Sequence, residues 1–314
     1  MIRKKIKGPL LLFLAAAIWG TAFVAQDVAS DTVPPFAFNG VRMLLGAFTL
    51  LVVVLLRGHG AFFPKHFSRA QKRKSLCNGA LCGLILFSAS SFQQVGITLG
   101  TGAGKSGFLT ALYIVFVPLF GLFQKKKPRK TTWLAVLAAL AGLYFLCMAS
   151  FDRGFSDILE NFAFSRGDLC LIACAVLFSF HILTIARVAP TEDGVRLSCI
   201  QFFVAGLLSL GVMFVFEQPT LSAITDHAGA ILYSGILSCA IAYTLQIIGQ
   251  KTTAPAFASL LLCLESVFAV LGDMIILKTK LTPEEICGCI LLFFAILIAT
   301  LSDTATPHKL RRTK

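Results

Sequence analysis

Few residues of this chain could do chemistry away from its loops. Glu265 stands in ASLLLCLESVFAVLGDMIIL (258–277), one carboxylic acid in a run of twenty mostly apolar residues that closes with Asp273 near its end. Arg42 interrupts a second such run and His181 a third, while Asp27 ends the first. Trp19 and Tyr113 fall deep in apolar segments, and Gln94 and Gln246 lie in such segments near their ends. Isolated acids and bases in such surroundings suit proton relay, ion pairing or recognition of a charged solute. Nucleophilic or metal chemistry would need groups gathered in clusters. Of five histidines, His59, His66, His227 and His308 fall in loops, the tail or a helix edge, none beside a recognisable nucleophile. The ten cysteines show no CxxC and no metal-ligand spacing; they read as packing residues. No cofactor or metal is expected, and no enzyme. A membrane-embedded enzyme on lipid-linked substrates is the rival that a catalytic cluster near one interface would favour. A channel would repeat a filter or charged ring.

The elements that position these residues follow from composition. The chain has 314 residues, 57% hydrophobic and 14% charged, with mean hydropathy +0.83 and 29 phenylalanines. Soluble domains carry about 25% charged residues, so this is the composition of an integral membrane protein. A helix needs about 20 apolar residues to cross a bilayer. Ten such runs are readable, near 9–28, 36–56, 76–96, 102–123, 131–150, 168–187, 196–216, 228–249, 255–277 and 283–301. Runs of this length are helices, because lipid leaves no other partner for backbone groups. The expected fold is an all-α polytopic membrane protein. The opening MIRKKIKGPLLLFLAAAIWGTAFVAQ has the order of a signal peptide, but its apolar run is too long for one and reads as an uncleaved first span.

Net charge is +13, yet nucleic acid is not the implied partner. The basic residues sit in short loops, 22 on the side of the N-terminus and five on the other. The positive-inside rule then places both termini in the cytoplasm, in a cell membrane and most simply a bacterial inner membrane. In that frame Glu265 lies about 15 Å deep at 1.5 Å per residue, near the midplane. Such an acid costs roughly 2.5–3.5 kcal/mol on insertion scales unless it is paired or hydrated. It reads as a site for a solute or a proton, or else as a structural hydrogen bond. Tyr113 and Trp19 reach similar depth and are expected to line one cavity with it. His181, about two-thirds across its span, is a second proton candidate or a structural histidine. Arg42 and Asp27 are expected to form a gating or structural ion pair, with direct substrate contact the second reading for Arg42, and Lys105 to reach the outer surface or else guard the cavity mouth.

The chain also matches itself. Shifted by 159 residues, Trp19 meets Phe178 and Arg42 meets Gln201; shifted by 152, Gln94 meets Gln246 and Tyr113 meets Glu265. Five spans per unit is odd, so a second copy enters from the opposite side, the pattern of secondary transporters with alternating access. Inverted symmetry then predicts Gln94 and Gln246 at opposite gates. The segment GTGAGKSG (100–107) imitates a phosphate loop, but the position six before Lys105 is Leu99 rather than glycine. It reads as a tight turn into the fourth span.

Taken in order, AAAIWGTAFVA (15–25), PPFAFNGVRMLLGAFTLL (34–51), QQVGITLGTGAGKSGFLTALYIVFVPLFGLF (93–123), SLLLCLESVFAVLG (259–272) and LTPEEICGCILLFFAILI (281–298) resemble the EamA-type branch of the drug/metabolite transporter superfamily. The resemblance implies ten helices in two inverted five-helix repeats, 1–150 and 167–301, followed by a basic cytoplasmic tail, 302–314. It implies carriage of a small organic metabolite, an amino acid or related solute, chiefly outward. The solute and the bilayer are the implied partners. A proton is expected as a further partner from the residues and not from the resemblance, because Glu265 could titrate and no ATP site is readable; an uncoupled facilitator is the alternative. The chain has Leu264-Glu265-Ser266 where many relatives have Leu-Glu-Pro, and Leu277-Lys278-Thr279 where they have Leu-Gly-Glu, which removes the proline kink from the ninth span.

Overall fold

The structure is a computed structural model. It describes residues 2–101, 103–123, 128–148, 165–276, 278 and 280–304, without the side chains of 2–6, 24, 27, 103–104, 273, 276 and 302–304. The chain linking the two expected repeats and most of the basic tail fall outside it.

All described regular structure is helical: α1 (Ile2–Ser30), α2 (Pro35–Arg57), α3 (Arg69–Thr98), α4 (Ala103–Ala111), α5 (Tyr113–Phe123), α6 (Lys130–Cys147), α7 (Arg166–Val188), α8 (Gly194–Phe216), α9 (Leu221–Asp226), α10 (Ala228–Tyr233), α11 (Tyr243–Gln250), α12 (Pro255–Leu262), α13 (Glu265–Ile276) and α14 (Pro283–Thr304). A π-helical stretch, Ser234–Ala242, joins α10 to α11. Among the described residues, nine helical stretches are long and apolar enough to cross a membrane, and α1 adds a shorter apolar one, Lys7–Phe23. The protein is a polytopic all-α membrane protein.

Local signals set the helix starts. Pro35, Pro255 and Pro283 occupy first turns, where a missing N–H costs nothing. Ser68 with Gln71 and Ser165 with Asp168 form capping boxes at α3 and α7. The α3 box starts that helix seven residues before the apolar run does, because capping and not hydropathy decides where a helix begins. At α2 the cap comes from afar: both oxygens of Glu217, just past α8, accept from the N–H groups of Phe36 and Ala37 at 2.9 and 2.8 Å.

Among the described residues, three of the membrane stretches are interrupted. The fourth breaks at Leu112, between α4 and α5, and the ninth at Cys263–Leu264, between α12 and α13. In both, a tighter i→i+3 bond replaces the helical one: Leu112 N–H to Leu109 O at 3.3 Å, and Leu264 N–H to Leu261 O at 3.3 Å. The ninth stretch therefore breaks without a proline, contrary to the expectation drawn from Ser266. Cys263 assists, its thiol donating to Leu260 O at 3.0 Å. The eighth stretch widens through Ser234–Ala242, where Tyr243 N–H reaches back five residues to Ser238 O.

The helices pack in a repeating scheme. α2 lies on α8 and α6 on α14; α3 packs on α7 and α8, as the π-helical eighth stretch packs on α1 and α2; α1 meets α13, as α7 meets α4 and α5. This set of pairings is unchanged when each membrane stretch is exchanged for the one five places along. Without a hydrophobic drive between helices in lipid, close approach supplies the attraction. Gly142 on α6 and Gly288 on α14 provide it: a Cβ built at Gly288 would fall 2.7 Å from both Gly142 O and Leu146 N. Large apolar side chains such as Phe123 and Phe216, both about four-fifths exposed, face outward as a lipid-facing surface requires. Gly288→Leu should therefore lower the thermal midpoint of unfolding in detergent by an amount equivalent to about 1–3 kcal/mol, whereas Phe293→Leu on the exposed face of the same helix should leave it in place.

Candidate functional site

The breaks place side chains where an unbroken helix would not. Tyr113 begins α5 and Glu265 begins α13, each the first residue after its interruption. Their side chains meet: Tyr113 Oη donates to Glu265 Oε1 at 3.1 Å, and the residues are 4% and 7% exposed. As the first residue of α13, Glu265 also sits at the positive end of its own helix, where a carboxylate is favoured by about 0.3–1 kcal/mol or more when partly buried. A donor and a helix end together make an acid tolerable there.

Both residues line one cavity. Trp19, Arg42 and Gln246 also line it, as do Gln26, Gln93, Ser238 and Tyr243. The widened backbone of the eighth stretch shapes one wall. Ser238 O accepts from Trp19 Nε1 at 3.4 Å, and the Tyr243 ring packs edge-on against Trp19 with centroids 4.6 Å apart. Gly20 presses α1 onto α13 beside Glu265: a Cβ there would lie 2.6 Å from Glu265 O.

Arg42 is 5% exposed and points into the protein. Its Nε donates to Asn39 Oδ1 at 3.0 Å and its Nη1 to Gln26 Oε1 at 3.2 Å, while the guanidinium lies 5.1 Å over the Phe38 ring. Asn39 is held in turn by Ser90 O at 3.1 Å. Among the described residues these partners are neutral, and Arg42 forms no ion pair. The side chain of Asp27, its expected partner, lies outside the described residues, as does that of Asp273.

Other residues singled out from the sequence stand apart from the cavity. His181 is fully buried behind it, Nε2 3.2 Å from Gln201 Oε1 and its ring 6.0 Å from that of Tyr243. Gln94 is fully buried too, and its neighbour Gln93 takes the cavity position. One residue turns a helix face by about 100°, so Gln93 reaches the cavity while Gln94, expected at a gate, faces away from it. Lys105 is partly exposed and pairs with Asp168 at 2.7 Å across α4 and α7. Gln26, Ser238 and Tyr243 gave no usable signal, since their roles come from the Arg42 contact and from the π-helical turn. Among the described residues no three His, Cys, Asp or Glu side chains gather as a metal would require.

Comparison with known proteins now decides the class. The pattern of the EamA-like transporter family matches residues 6–148 and again 165–301. The chain belongs to the EamA-like transporter family. This EamA-like chain is 29% identical over 299 residues to an uncharacterized transporter of Archaeoglobus fulgidus, covering 95% of this chain and 87% of the relative. It is 26% identical to the uncharacterized transporter YwfM of Bacillus subtilis, over 96% of this chain and 94% of the relative. A solved crystal structure superposes with TM-score 0.75 over 96% of this chain and 100% of its own, at 20% identity, a likeness of fold. The protein is a membrane transporter, and these relationships point away from an enzyme.

If the Tyr113–Glu265 bond is a true coupling across the cavity, a double-mutant cycle in detergent with Tyr113→Phe and Glu265→Leu should return about 1–2 kcal/mol of interaction; strictly additive losses in unfolding free energy would contradict it.

Proposed function

We propose that this protein is a secondary carrier that moves a small organic metabolite across a cell membrane by alternating access, chiefly outward, in two inverted five-helix repeats covering 1–150 and 167–301. The exchange-invariant helix pairing and the matched breaks before Tyr113 and Glu265 support the repeat. The excess of basic residues in loops on the N-terminal side supports cytoplasmic termini. Carriers of this build bind at the midplane, where discontinuous helices meet.

The observation that carries the reading is the charge distribution of the cavity. It holds one guanidinium, Arg42, and one carboxyl, Glu265, and among the described residues neither is paired with an opposite charge. Uncompensated charges are expensive in a membrane interior and mark solute or ion pathways. A zwitterion satisfies both, its carboxylate on Arg42 and its ammonium on Glu265, while Trp19 and Tyr243 take its apolar part. With no solute bound, a proton on Glu265 serves instead, which couples transport to the proton gradient. The competing assignment, a purely structural Tyr113–Glu265 bond, leaves Arg42 facing the cavity without a purpose.

The test is uptake of labelled small metabolites into proteoliposomes with and without a pH gradient. Wild-type protein should show saturable, gradient-stimulated uptake of a zwitterion. Glu265→Gln should lose the stimulation. Arg42→Gln should raise the KM at least about 10-fold, the equivalent of 1.4 kcal/mol, for a solute bearing a carboxylate and leave the corresponding amide unaffected. Uptake unchanged in both variants would sink the assignment.

A further inference from the structure

Beyond the cavity, buried polar atoms continue toward the N-terminal face along one stripe. Gln246, Gln250 and Thr253 follow at i, i+4 and i+7 on α11 and the turn after it, each 6% exposed or less. Gln246 Oε1, Gln250 Oε1 and Thr253 Oγ1 have no hydrogen-bond partner among the described residues. The amide nitrogen of Gln250 donates to Ile182 O at 3.3 Å, so its unsatisfied atom is the oxygen, an acceptor. A buried acceptor without a donor costs about 1–3 kcal/mol, and such groups are rare enough that each needs a reason. Three in a row on one helical face, beginning in the cavity wall, make a path that receives N–H donors.

The path is shut at its end by a helix contact. Gly8 on α1 meets the turn after α11 so closely that a Cβ built on it would lie 2.6 Å from Thr253 Oγ1 and 2.9 Å from Gly249 O. The same construction recurs at the opposite face. The shift of 152 residues carries Gln246, Gln250 and Thr253 onto Gln94, Thr98 and Thr101, and the shift of 159 carries Gly8 onto Gly167. A Cβ on Gly167 would collide with the Thr101 hydroxyl and lie 2.9 Å from Gly96 O. Gln94 again has both amide atoms without a partner among the described residues. The two ends differ: Thr98 is exposed where Gln250 is buried, and its hydroxyl donates to Gln94 O of its own helix at 2.9 Å. Thr101 also donates to Asp168, which Lys105 clamps, whereas the positions equivalent to Asp168 and Lys105 at the other end are Pro9 and Phe257.

We propose that Gln246, Gln250 and Thr253 line the path by which a solute bearing N–H donors passes between the cavity and the N-terminal face, with the Gly8–Thr253 contact as its closure, and that the Gly167–Thr101 contact is the corresponding closure at the opposite face. The proposal rests on the carrier reading and adds the route and its closures. The second closure carries the Lys105–Asp168 clamp and the first does not, so the resting protein opens more readily toward the N-terminal face.

The test needs no solute. In full-length protein in sealed vesicles, Gln250→Cys is exposed to a charged, membrane-impermeant methanethiosulfonate from either side, and the modified site is read by peptide mass. Modification should occur from the N-terminal face only. Gly8→Val, which prevents that closure, should raise its rate several-fold; Gly167→Val, which prevents the other, should lower it several-fold. A general loosening of the fold would raise both, so equal effects of the two glycine variants overturn the proposal, as does modification from both faces or from neither. Opposed effects in a protein that exchanges no solute would contradict the carrier reading and leave the path and closures standing.

Discussion

A buried acid inside a membrane-length helical stretch is the constraint on which the rest of this structure turns. Glu265 can stay there only with a donor and a favourable local field. It obtains the donor from Tyr113 at 3.1 Å and the field from the first turn of α13. Both depend on interrupted helices. Without the break at Cys263–Leu264, Glu265 would sit mid-helix with no helix end beside it. Without the break at Leu112, α5 would not begin at its partner. Irregular backbone at membrane depth is tolerated only where protein or a cavity receives it, so acid, breaks and cavity belong to one arrangement.

Arg42 obeys the same physics by other means. Its charge is spread over Asn39, Gln26 and the Phe38 ring and is not cancelled by a neighbouring acid among the described residues. Neutral acceptors and a ring face hold a guanidinium in place while leaving its charge available. An ion pair between Arg42 and Glu265 would be a self-satisfied core with nothing left to recognise. Keeping the two apart at one cavity leaves a site that another molecule must complete.

The sequence made the helices legible because hydropathy at a span length of about 20 residues is a strong signal. Glu265, Tyr113 and Trp19 were legible as a group, since depth arithmetic and the internal repeat converge on them. The breaks were harder to read. Sequence offers proline as the signal of a kink, and here the ninth stretch breaks at Cys263 with Ser266 where that proline would stand. The π-helical turn that aims Ser238 and Tyr243 has no sequence signature at all. Gln93 in place of Gln94, and Asp168 as the partner of Lys105, turn on helix rotation and on contacts between distant stretches. A repeat with weak identity cannot supply those.

One cavity, opened alternately to each side, is proposed to carry the solute. Counterflow tests it most directly: proteoliposomes preloaded with unlabelled zwitterionic solute are placed in a trace of the labelled compound with no ion gradient. Alternating access gives transient accumulation of label above equilibrium, because unlabelled solute inside competes for the inward-facing site and holds back exit of the label. Label that rises only to equilibrium, at a rate indifferent to the internal solute, would contradict it and indicate a channel.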